Sequence, residues 1–370
     1  MKVAIVANSA WYLQNFRLAL ARHLKGQGHD IVFIAPADGY ESRLQEAGFG
    51  FAPWSLASAG VNPFTELGAV LSLRRMLKAQ GAQAVLAYTP KGNIYSGLAL
   101  KGRPCRFLPN ISGLGRAFIA PGPLTALVTR LYKHALSDAD RVLFQNEDDR
   151  RAFVEQFRIV PEALGMRLPG SGVDLQRFQP PARAVASGTS RRFLFVGRLL
   201  RDKGVVEFVE AARRIHADCP DCEFVMLGSS RSTNPAAVSA EQLGQWLAEG
   251  FVRHVEQLDD VRDELGQADC VVLPSYREGV PRSLLEAAAM ARPVITTDAP
   301  GCRDTVLNGQ TGLLCEVRSA AALEQAMRRL LAMPAARWQA MGQEGRRFVE
   351  AHFSEQRVLD TYARLLEPTR

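Results

Sequence analysis

The 370-residue sequence has no run approaching the roughly 18–20 unbroken apolar residues that a membrane-spanning helix needs. Its opening stretch, residues 1–7, is apolar but is cut off by Asn8 and Ser9 and lacks a small-residue cleavage site. It reads as a first strand, not a secretory leader, and without a targeting segment the expected compartment is the cytosol. Cysteines number six. Cys105, Cys270 and Cys315 sit in or beside strand-like runs, while Cys219 and Cys222 form a lone C-x-x-C without the second pair or histidine partner that zinc requires. Free thiols of a reducing compartment follow, and neither a metal site nor redox chemistry is expected. No arginine-rich tract, aromatic RNP-like motif or helix-turn-helix pattern favours a nucleic-acid partner. After the first strand the chain runs Ala7-Asn8-Ser9-Ala10-Trp11-Tyr12, where a nicotinamide-binding enzyme would carry G-x-G-x-x-G, so that cofactor is excluded too.

What is present points to two domains, the natural division for this length. Charge is unevenly shared between the halves. Residues 1–185 carry 22 Lys/Arg against 13 Asp/Glu, a net of +9, and residues 186–370 carry 23 against 25, a net of −2. Only the first half is therefore suited to an anionic partner, such as an acidic membrane surface or a phosphorylated acceptor. In that half, apolar runs at 2–7, 30–35, 84–88, 105–109 and 141–145 read as strands. Amphipathic helical stretches at 15–26, 64–79, 123–136 and 148–157 alternate with them. The pattern weakens at 169–174, stops in a linker at 179–190, and restarts. Strands are expected at 192–196, 223–227, 252–256, 270–273, 293–296 and 312–315. Helices at 205–217, 240–249, 262–266, 283–291 and 320–331 separate them. Such alternation predicts parallel sheets covered by helices on both faces. The fold class is therefore α/β, with two doubly wound Rossmann-like domains at 1–175 and 176–354, and a last helix at about 355–370 packing back on the first. The expected ligand site lies at the carboxyl ends of the strands, in a central cleft between the domains.

The strongest local signal is the run from Pro274 to Ala291. A buried strand ends in a loop holding Glu278, Gly279 and Val280. The loop feeds a helix with Pro281 near its first turn, where a missing N–H costs nothing. Free N–H groups at a helix start suit a diphosphate. Glu278 and Glu286 would repel phosphate, so their presence beside it suggests that they grip hydroxyls, Glu286 being placed to accept from a ribose diol. The plainer alternative is that both acids favour the helix start and its exposed face. A second signal is the strand 193–196 followed by Gly197, Arg198 and then Lys203-Gly204. Gly197 permits close backbone approach. A forked guanidinium and a compact ammonium at a strand's carboxyl end suit a diphosphate leaving group as charge builds on it. A solvated basic turn is the competing reading of that stretch alone.

Taken together, Gly197-Arg198…Lys203-Gly204 and Glu278-x7-Glu286 resemble the large retaining GT-B glycosyltransferase family of bacterial lipopolysaccharide and capsule synthesis. The likeness extends to Gly170-Ser171-Gly172-Val173-Asp174, Leu258-Asp259-Asp260-Val261 and the run from Thr296 to Asp304. The resemblance implies that Arg198 and Lys203 hold the donor diphosphate, that Glu278 contacts the sugar and that Glu286 binds the ribose. Gly279, Val280, Ser283 and Leu284 then match the loop whose backbone touches the phosphates. Motifs at 88–95, 110–115 and 234–237, with Phe144-Gln145-Asn146, are similar to those of a narrower group that extends undecaprenyl-diphosphate-linked sugars. That group includes α-1,3-N-acetylgalactosaminyltransferases. The implied activity is retaining transfer from a nucleotide sugar, most simply a UDP-linked N-acetylhexosamine, to a lipid-linked glycan in O-antigen, capsule or glycan assembly. No cofactor or metal is implied. Alternatives of the same fold are a sugar-nucleotide epimerase and a non-catalytic sugar-nucleotide sensor.

One departure from the family concerns the first domain. Many members carry a histidine after the strand at 105–109, where this chain has Asn110-Ile111-Ser112-Gly113. His29 and His134 read as structural and solvated, so no general base is assigned. The family's front-face chemistry tolerates that, because the leaving phosphate takes the acceptor proton and catalysis is orientation plus charge stabilisation. Asn8, Ser9, Arg17, Lys91 and Asn110 are the acceptor-side candidates. Ordinary surface charge is an equal reading of Arg17 and Lys91. Asp138-Ala139-Asp140 spells D-x-D, but at a helix end before a strand, so metal binding is not expected there. A lipid-linked acceptor implies peripheral contact with the cytoplasmic face of the inner membrane. Segments 118–124 and 71–78 combine apolar residues with cations and fit such contact, or else a helix face buried on the sheet with its cations outside.

Overall fold

The computed structural model describes residues 1–56, 62–114, 118, 122–181, 191–232 and 234–367. The chain divides into two compact units, Met1–Leu168 with Arg357–Arg370, and Pro169–Gln356. Residues 182–190 of the expected linker, 119–121 of the segment 118–124, Gly115 of the motif at 110–115 and the end of the last helix lie outside the described residues.

The first unit is built on a seven-stranded parallel sheet. Its strands are β1 (Lys2–Val6), β2 (Asp30–Ala35), β3 (Gly50–Pro53), β4 (Ala84–Tyr88), β5 (Arg106–Ile111), β6 (Val142–Phe144) and β7 (Gly165–Arg167), in the order β3-β2-β1-β4-β5-β6-β7. β1 and β4 pair with Val3 opposite Ala84, and β4 and β5 with Tyr88 opposite Asn110. Helices cover both faces, which is why the central strands are continuous apolar runs instead of alternating ones. Val3 and Ile5 point into one layer, Ala4 and Val6 into the other. The first layer is closed by α1 (Ala10–Phe16), α2 (Leu18–Gly26) and α3 (Glu41–Glu46). The second is closed by α4 (Pro63–Ala79), α5 (Pro90–Leu100) and α6 (Pro123–Ala135).

Several elements differ from the sequence reading, each for a local reason. α5 follows β4 where no helix is expected between the strands at 84–88 and 105–109. Gly92 to Gly97, Ala99 and Leu100 are buried along it, so it shows no polar face to mark a helical period. The single helix expected at 15–26 is two, starting earlier at Ala10 and breaking at Arg17. The helix expected at 148–157 is α7 (Glu147–Arg151), which widens to a π turn over Ala152–Gln156. β3 and β7, of four and three residues, are too short to show a period.

The second unit carries a six-stranded parallel sheet of β8 (Arg192–Val196), β9 (Glu223–Leu227), β10 (Val252–Val255), β11 (Cys270–Leu273), β12 (Val294–Thr297) and β13 (Gly312–Cys315), ordered β10-β9-β8-β11-β12-β13. Around it lie α8 (Val205–Asp218), α9 (Ala240–Ala248), α10 (Arg262–Gln267), α11 (Arg282–Ala289), α12 (Ala320–Leu331) and α13 (Ala335–His352). A last helix, α14 (Glu355–Leu366), places Val358, Leu359, Tyr362 and Leu366 in the core of the first unit. There the Arg106 guanidinium donates to the Leu365 carbonyl at 2.8 Å. In each sheet the winding direction reverses at one seam, β1/β4 and β8/β11. At such a seam the loops leaving the two strands turn to opposite faces and open a crevice at their carboxyl ends.

Candidate functional site

The seam of the second sheet is where the sequence signals meet. β8 and β11 are paired neighbours, with Phe193 opposite Cys270. Gly197 to Gly204 leave one strand and Pro274 to Pro281 the other. The two loops are fastened together. The Tyr276 N–H and the Ser275 hydroxyl both donate to the Asp202 carbonyl, at 3.0 and 3.1 Å. Gly204 has φ +74°, and a Cβ there would lie 2.1 Å from the Pro274 carbonyl oxygen. Only glycine fits so close an approach in that conformation. On the other side the Glu278 N–H donates to the Pro300 carbonyl at 3.1 Å. Gly301, φ +77°, would place a Cβ 2.3 Å from the carbonyls of Glu278 and Gly279. The loop bearing Glu278 is thus clamped between two glycines from neighbouring connections.

Side chains follow from that backbone. The Lys203 ammonium donates to the Glu278 carboxylate, and both groups are largely shielded from solvent. Arg198 is exposed, two residues past the end of β8. Its loop is pinned by Leu199 N–H to the Ser229 carbonyl at 3.1 Å and Arg201 N–H to the Ala236 carbonyl at 2.8 Å. Glu286 lies on α11 one turn beyond Arg282, whose Nε stands 2.9 Å from its carboxylate. Burial raises the Glu286 carboxyl above the ordinary glutamate value, and Arg282 and Arg177 oppose that rise. Arg177 in turn sits 3.7 Å from Asp260, which Arg262 grips at 2.6 Å and holds down to about 2. Gly279 and Val280 are buried in the loop, and Ser283 is half-buried in the first turn of α11. Leu284 is buried and its N–H donates to the Pro281 carbonyl at 3.1 Å.

Sequence reasoning passed over three residues here. The Tyr276 hydroxyl donates to Glu207 on the first turn of α8 at 2.6 Å, and Arg318 stacks over the same ring at 4.8 Å. Arg282 was legible from its i,i+4 spacing to Glu286; Glu207 and Arg318 carried no such signal. A cavity of about 510 Å³ lies beside Asp260, lined by Arg177, Arg262 and Met290 among others. Arg198, Lys203 and Glu278 do not line it, so the diphosphate reading stands on the loop geometry.

In the first unit, Ser9 caps α1 by accepting the Tyr12 N–H at 3.1 Å, and Asn8 is exposed beside it. Arg17 is buried, stacks 4.0 Å over the Tyr88 ring and donates to the Tyr12 hydroxyl at 2.7 Å. Asn110 is buried on β5, its side-chain amide donating to the Tyr362 hydroxyl at 3.0 Å and its backbone carbonyl accepting from the Asn93 amide at 2.8 Å. Arg17 and Asn110 therefore meet the same tyrosine pair, Tyr88 and Tyr362. Lys91, in the first turn of α5, donates to Glu66 of α4 at 2.9 Å, and Tyr95 donates to the same carboxylate. In the D-x-D run, Asp138 pairs with Lys101 at 3.1 Å, while Asp140 accepts the Phe107 N–H at 2.7 Å. Among the described residues no group of His, Cys, Asp or Glu is arranged to hold a metal ion, and no helix is long and apolar enough to cross a membrane. The six cysteines are unpaired.

Two family models match the two units. Residues 190–333 match "Glycosyl transferases group 1" and residues 14–169 match "Glycosyl transferase 4-like domain". The chain belongs to the group 1 glycosyltransferase family. It is a transferase, and its two Rossmann-like domains are those of the GT-B fold. Among curated relatives, it is 28% identical over 90% of its length, and 89% of the relative's, to a Campylobacter jejuni protein. That protein is named N,N'-diacetylbacillosaminyl-diphospho-undecaprenol alpha-1,3-N-acetylgalactosaminyltransferase. A capsular polysaccharide biosynthesis glycosyltransferase of Staphylococcus aureus is 31% identical over 44% of this chain and 42% of its own. Among solved structures, a Rickettsia africae glycosyltransferase aligns over 100% of this chain and 99% of its own, with TM-score 0.76 and 20% identity. Anabaena Alr3699/HepE in complex with UDP and glucose aligns over 99% of both chains, with TM-score 0.81 and 14% identity. At those identities the likeness is one of fold.

Proposed function

We propose that this glycosyltransferase is a retaining enzyme that moves an N-acetylhexosamine from a UDP-sugar to an undecaprenyl-diphosphate-linked glycan. The pathway is O-antigen, capsule or related glycan assembly, and the place is the cytoplasmic face of the inner membrane. One observation carries the donor half of this reading. The loops after β8 and β11 are fastened together at the seam of the sheet, bringing the loop that bears Arg198 and Lys203 against the loop that bears Glu278. The printed name of the Campylobacter jejuni relative supports the acceptor half.

In the proposed reaction the bond between the anomeric carbon and the β-phosphate oxygen breaks, its electron pair leaving on that oxygen. Arg198 and Lys203 stabilise the charge that builds there without a metal ion. The acceptor hydroxyl oxygen bonds to the anomeric carbon on the same face, and its proton passes to the departing phosphate. Glu278 orients the sugar hydroxyls and Glu286 accepts from the ribose diol. The first unit, with Asn8, Ser9, Arg17, Lys91 and Asn110 on or near the carboxyl edge of its sheet, takes the acceptor. The test is a panel of UDP-sugars with a lipid-diphosphate glycan, the product's anomeric configuration being read by NMR. Glu286→Ala weakens UDP-sugar binding and Lys203→Ala removes most turnover. Wild-type behaviour in both variants, or conversion of the sugar nucleotide without an acceptor, refutes the reading.

A further inference from the structure

The C-x-x-C of the second unit joins α8 to β9. Spacing alone, which reads as free thiols, does not show whether the chain brings them together. α8 ends at Asp218, and the Cys219 N–H donates to the Ile215 carbonyl at 2.8 Å, closing the helix. Cys219-Pro220-Asp221-Cys222 then forms a turn, in which the Cys222 N–H donates to the Cys219 carbonyl at 3.1 Å. A bond of that kind closes a β-turn, whose first and last Cα atoms stand within about 7 Å. Disulfides join Cα atoms roughly 4.4–6.8 Å apart, so the backbone needs little movement to take one here. Pro220 stands second in the turn, where its fixed φ favours that geometry.

The two thiols differ in access. Cys222 belongs to the core of the second unit, 4% exposed, while Cys219 packs against that core and is partly open to solvent. They are close enough for Cys219 to act on the Cys222 thiol by hydrogen bonding. Burial first, and then Cys219, push the Cys222 thiol up. Against them, the Arg191 backbone N–H and its charge favour the thiolate, and the same guanidinium stacks 5.0 Å over Trp338. The other cysteines are placed differently. Cys270, Cys302 and Cys315 are buried, with thiols that burial pushes up. Cys105, in the first unit, directs its thiol at the Ala82 carbonyl, 3.5 Å away.

We infer that Cys219 and Cys222 are a reversible dithiol–disulfide site that exchanges with low-molecular-weight disulfides. Cys219, the accessible member, gives up its proton to solvent and attacks one sulfur of the small disulfide, whose other sulfur leaves and takes a proton. Cys222 then loses its proton and attacks the Cys219 sulfur, expelling the second small thiol. Two protein thiols are oxidised and one small disulfide is reduced to two thiols. A sulfur whose thiol is held up is a poor leaving group. Cys222 therefore resists expulsion, and the internal bond withstands reduction better than a mixed disulfide does. The bond ties the end of α8 to the start of β9. It lies at the far end of α8 from Lys203, about 20 Å away for 14 helical residues, so the inference goes beyond the transferase reading and does not depend on it.

The test equilibrates the full-length chain with reduced and oxidised glutathione, traps free thiols by alkylation and reads the peptides by mass spectrometry. The peptide holding both cysteines should lose two hydrogens and escape alkylation, and added dithiothreitol should restore both alkylation sites. At about 1 mM reduced glutathione the internal disulfide should exceed the mixed disulfide on Cys219 about tenfold or more. The effective concentration within a closed turn lies above the millimolar value of a short flexible link. Cys222→Ala should stop at the mixed disulfide, and Cys219→Ser should leave Cys222 largely unmodified. Circular dichroism checks that both variants fold. Cys219→Ser, altered at a partly exposed position, keeps the test open if the buried change does not fold. The inference is overturned if wild-type Cys219 and Cys222 stay alkylated at every glutathione ratio. It is overturned as well if the mixed disulfide accumulates on the wild type as it does on Cys222→Ala, or if the oxidised chain runs as a disulfide-linked dimer on a non-reducing gel.

Discussion

Replacing Glu278 with glutamine removes the carboxylate to which Lys203 is tied, and separates two roles that a simple loss of activity would confuse. In the resting protein the Lys203 ammonium donates to Glu278, with 24% and 13% of the two side chains exposed. On the proposed function, an incoming diphosphate must draw the ammonium away. A pair this far out of water, yet not sealed from it, is held by about 1–2 kcal/mol, between the values of surface and buried ion pairs. In Glu278→Gln the amide oxygen remains an acceptor but the charge is gone. UDP should therefore bind about five- to thirtyfold more tightly, while sugar transfer falls because the sugar has lost its carboxylate. Lys203→Met should do the opposite to the nucleotide, weakening UDP and cutting kcat/KM by about two to three orders of magnitude, the usual loss for one preorganised charge donor. Isothermal titration with UDP, beside initial rates with the UDP-sugar, reads both numbers. If Glu278→Gln weakens UDP as much as Lys203→Met does, the carboxylate touches the nucleotide itself and the antagonism between the two groups is wrong.

Gly204→Ala forces a Cβ to 2.1 Å from the Pro274 carbonyl at φ +74°. About 1–3 kcal/mol of strain should lower the unfolding midpoint by several degrees, and turnover measured well below that midpoint should fall further as the two loops part; unchanged kinetics would show that their contact does not set the site. Tyr276→Phe strips Glu207 of its 2.6 Å donor, costing about 1–3 kcal/mol for a buried acceptor left unpaired, and should raise KM for the donor more than it lowers kcat in steady-state assays. Glu286 gives a pH signature. Its carboxyl is raised by burial, so UDP affinity by titration should fall as pH drops through that raised value, and Glu286→Gln should flatten the profile. For folding the sign is reversed, because the group's stabilising contribution is full below the unfolded glutamate value and is lost as pH rises through the folded one.

Much of the fold is legible in the sequence. β8 and β11 are legible because a strand covered on both faces must be apolar throughout, and Phe193-Leu194-Phe195 and Cys270-Val271-Val272-Leu273 are. Gly204 and Gly301 stand at breaks between such runs, where turns are required. The residue types at 198, 203, 278 and 286 suggest phosphate and hydroxyl chemistry, and it is their placement at one seam that the structure adds for 203 and 278. What the chain does not spell out is register. That Lys203 grips Glu278, 75 positions later, depends on β11 crossing over to lie beside β8, a pairing of strands with β9 and β10 between them in sequence. The same holds for Tyr276 and Glu207. α5 was invisible for a different reason. A helix buried almost throughout loses the polar face that would reveal its period, so the sequence does not show that Lys91 stands on a helix's first turn.

The register also resolves a conflict in the sequence. Two glutamates beside a diphosphate site should repel the ligand, and at a few ångströms in a partly desolvated pocket that repulsion is worth several kcal/mol. The structure gives each acid its own cation: Lys203 for Glu278, Arg282 for Glu286, and Arg177 with Arg262 for Asp260. With these charges matched locally, Arg198 stands exposed two residues past the end of β8, which on the proposed function leaves it for phosphate instead of for a neighbour's carboxylate. On the proposed function, this arrangement would leave the acids' acceptor oxygens for hydroxyl groups while contributing little field at the phosphates. It makes a quantitative demand as well. Removing one of these cations should cost nucleotide affinity even where it never touches the ligand, because it unmasks the acid beside it. Arg282→Met, measured against Arg282→Met in a Glu286→Gln background, isolates that effect. The loss should be large in the first case and small in the second, and equal losses would mean that Arg282 meets the nucleotide directly.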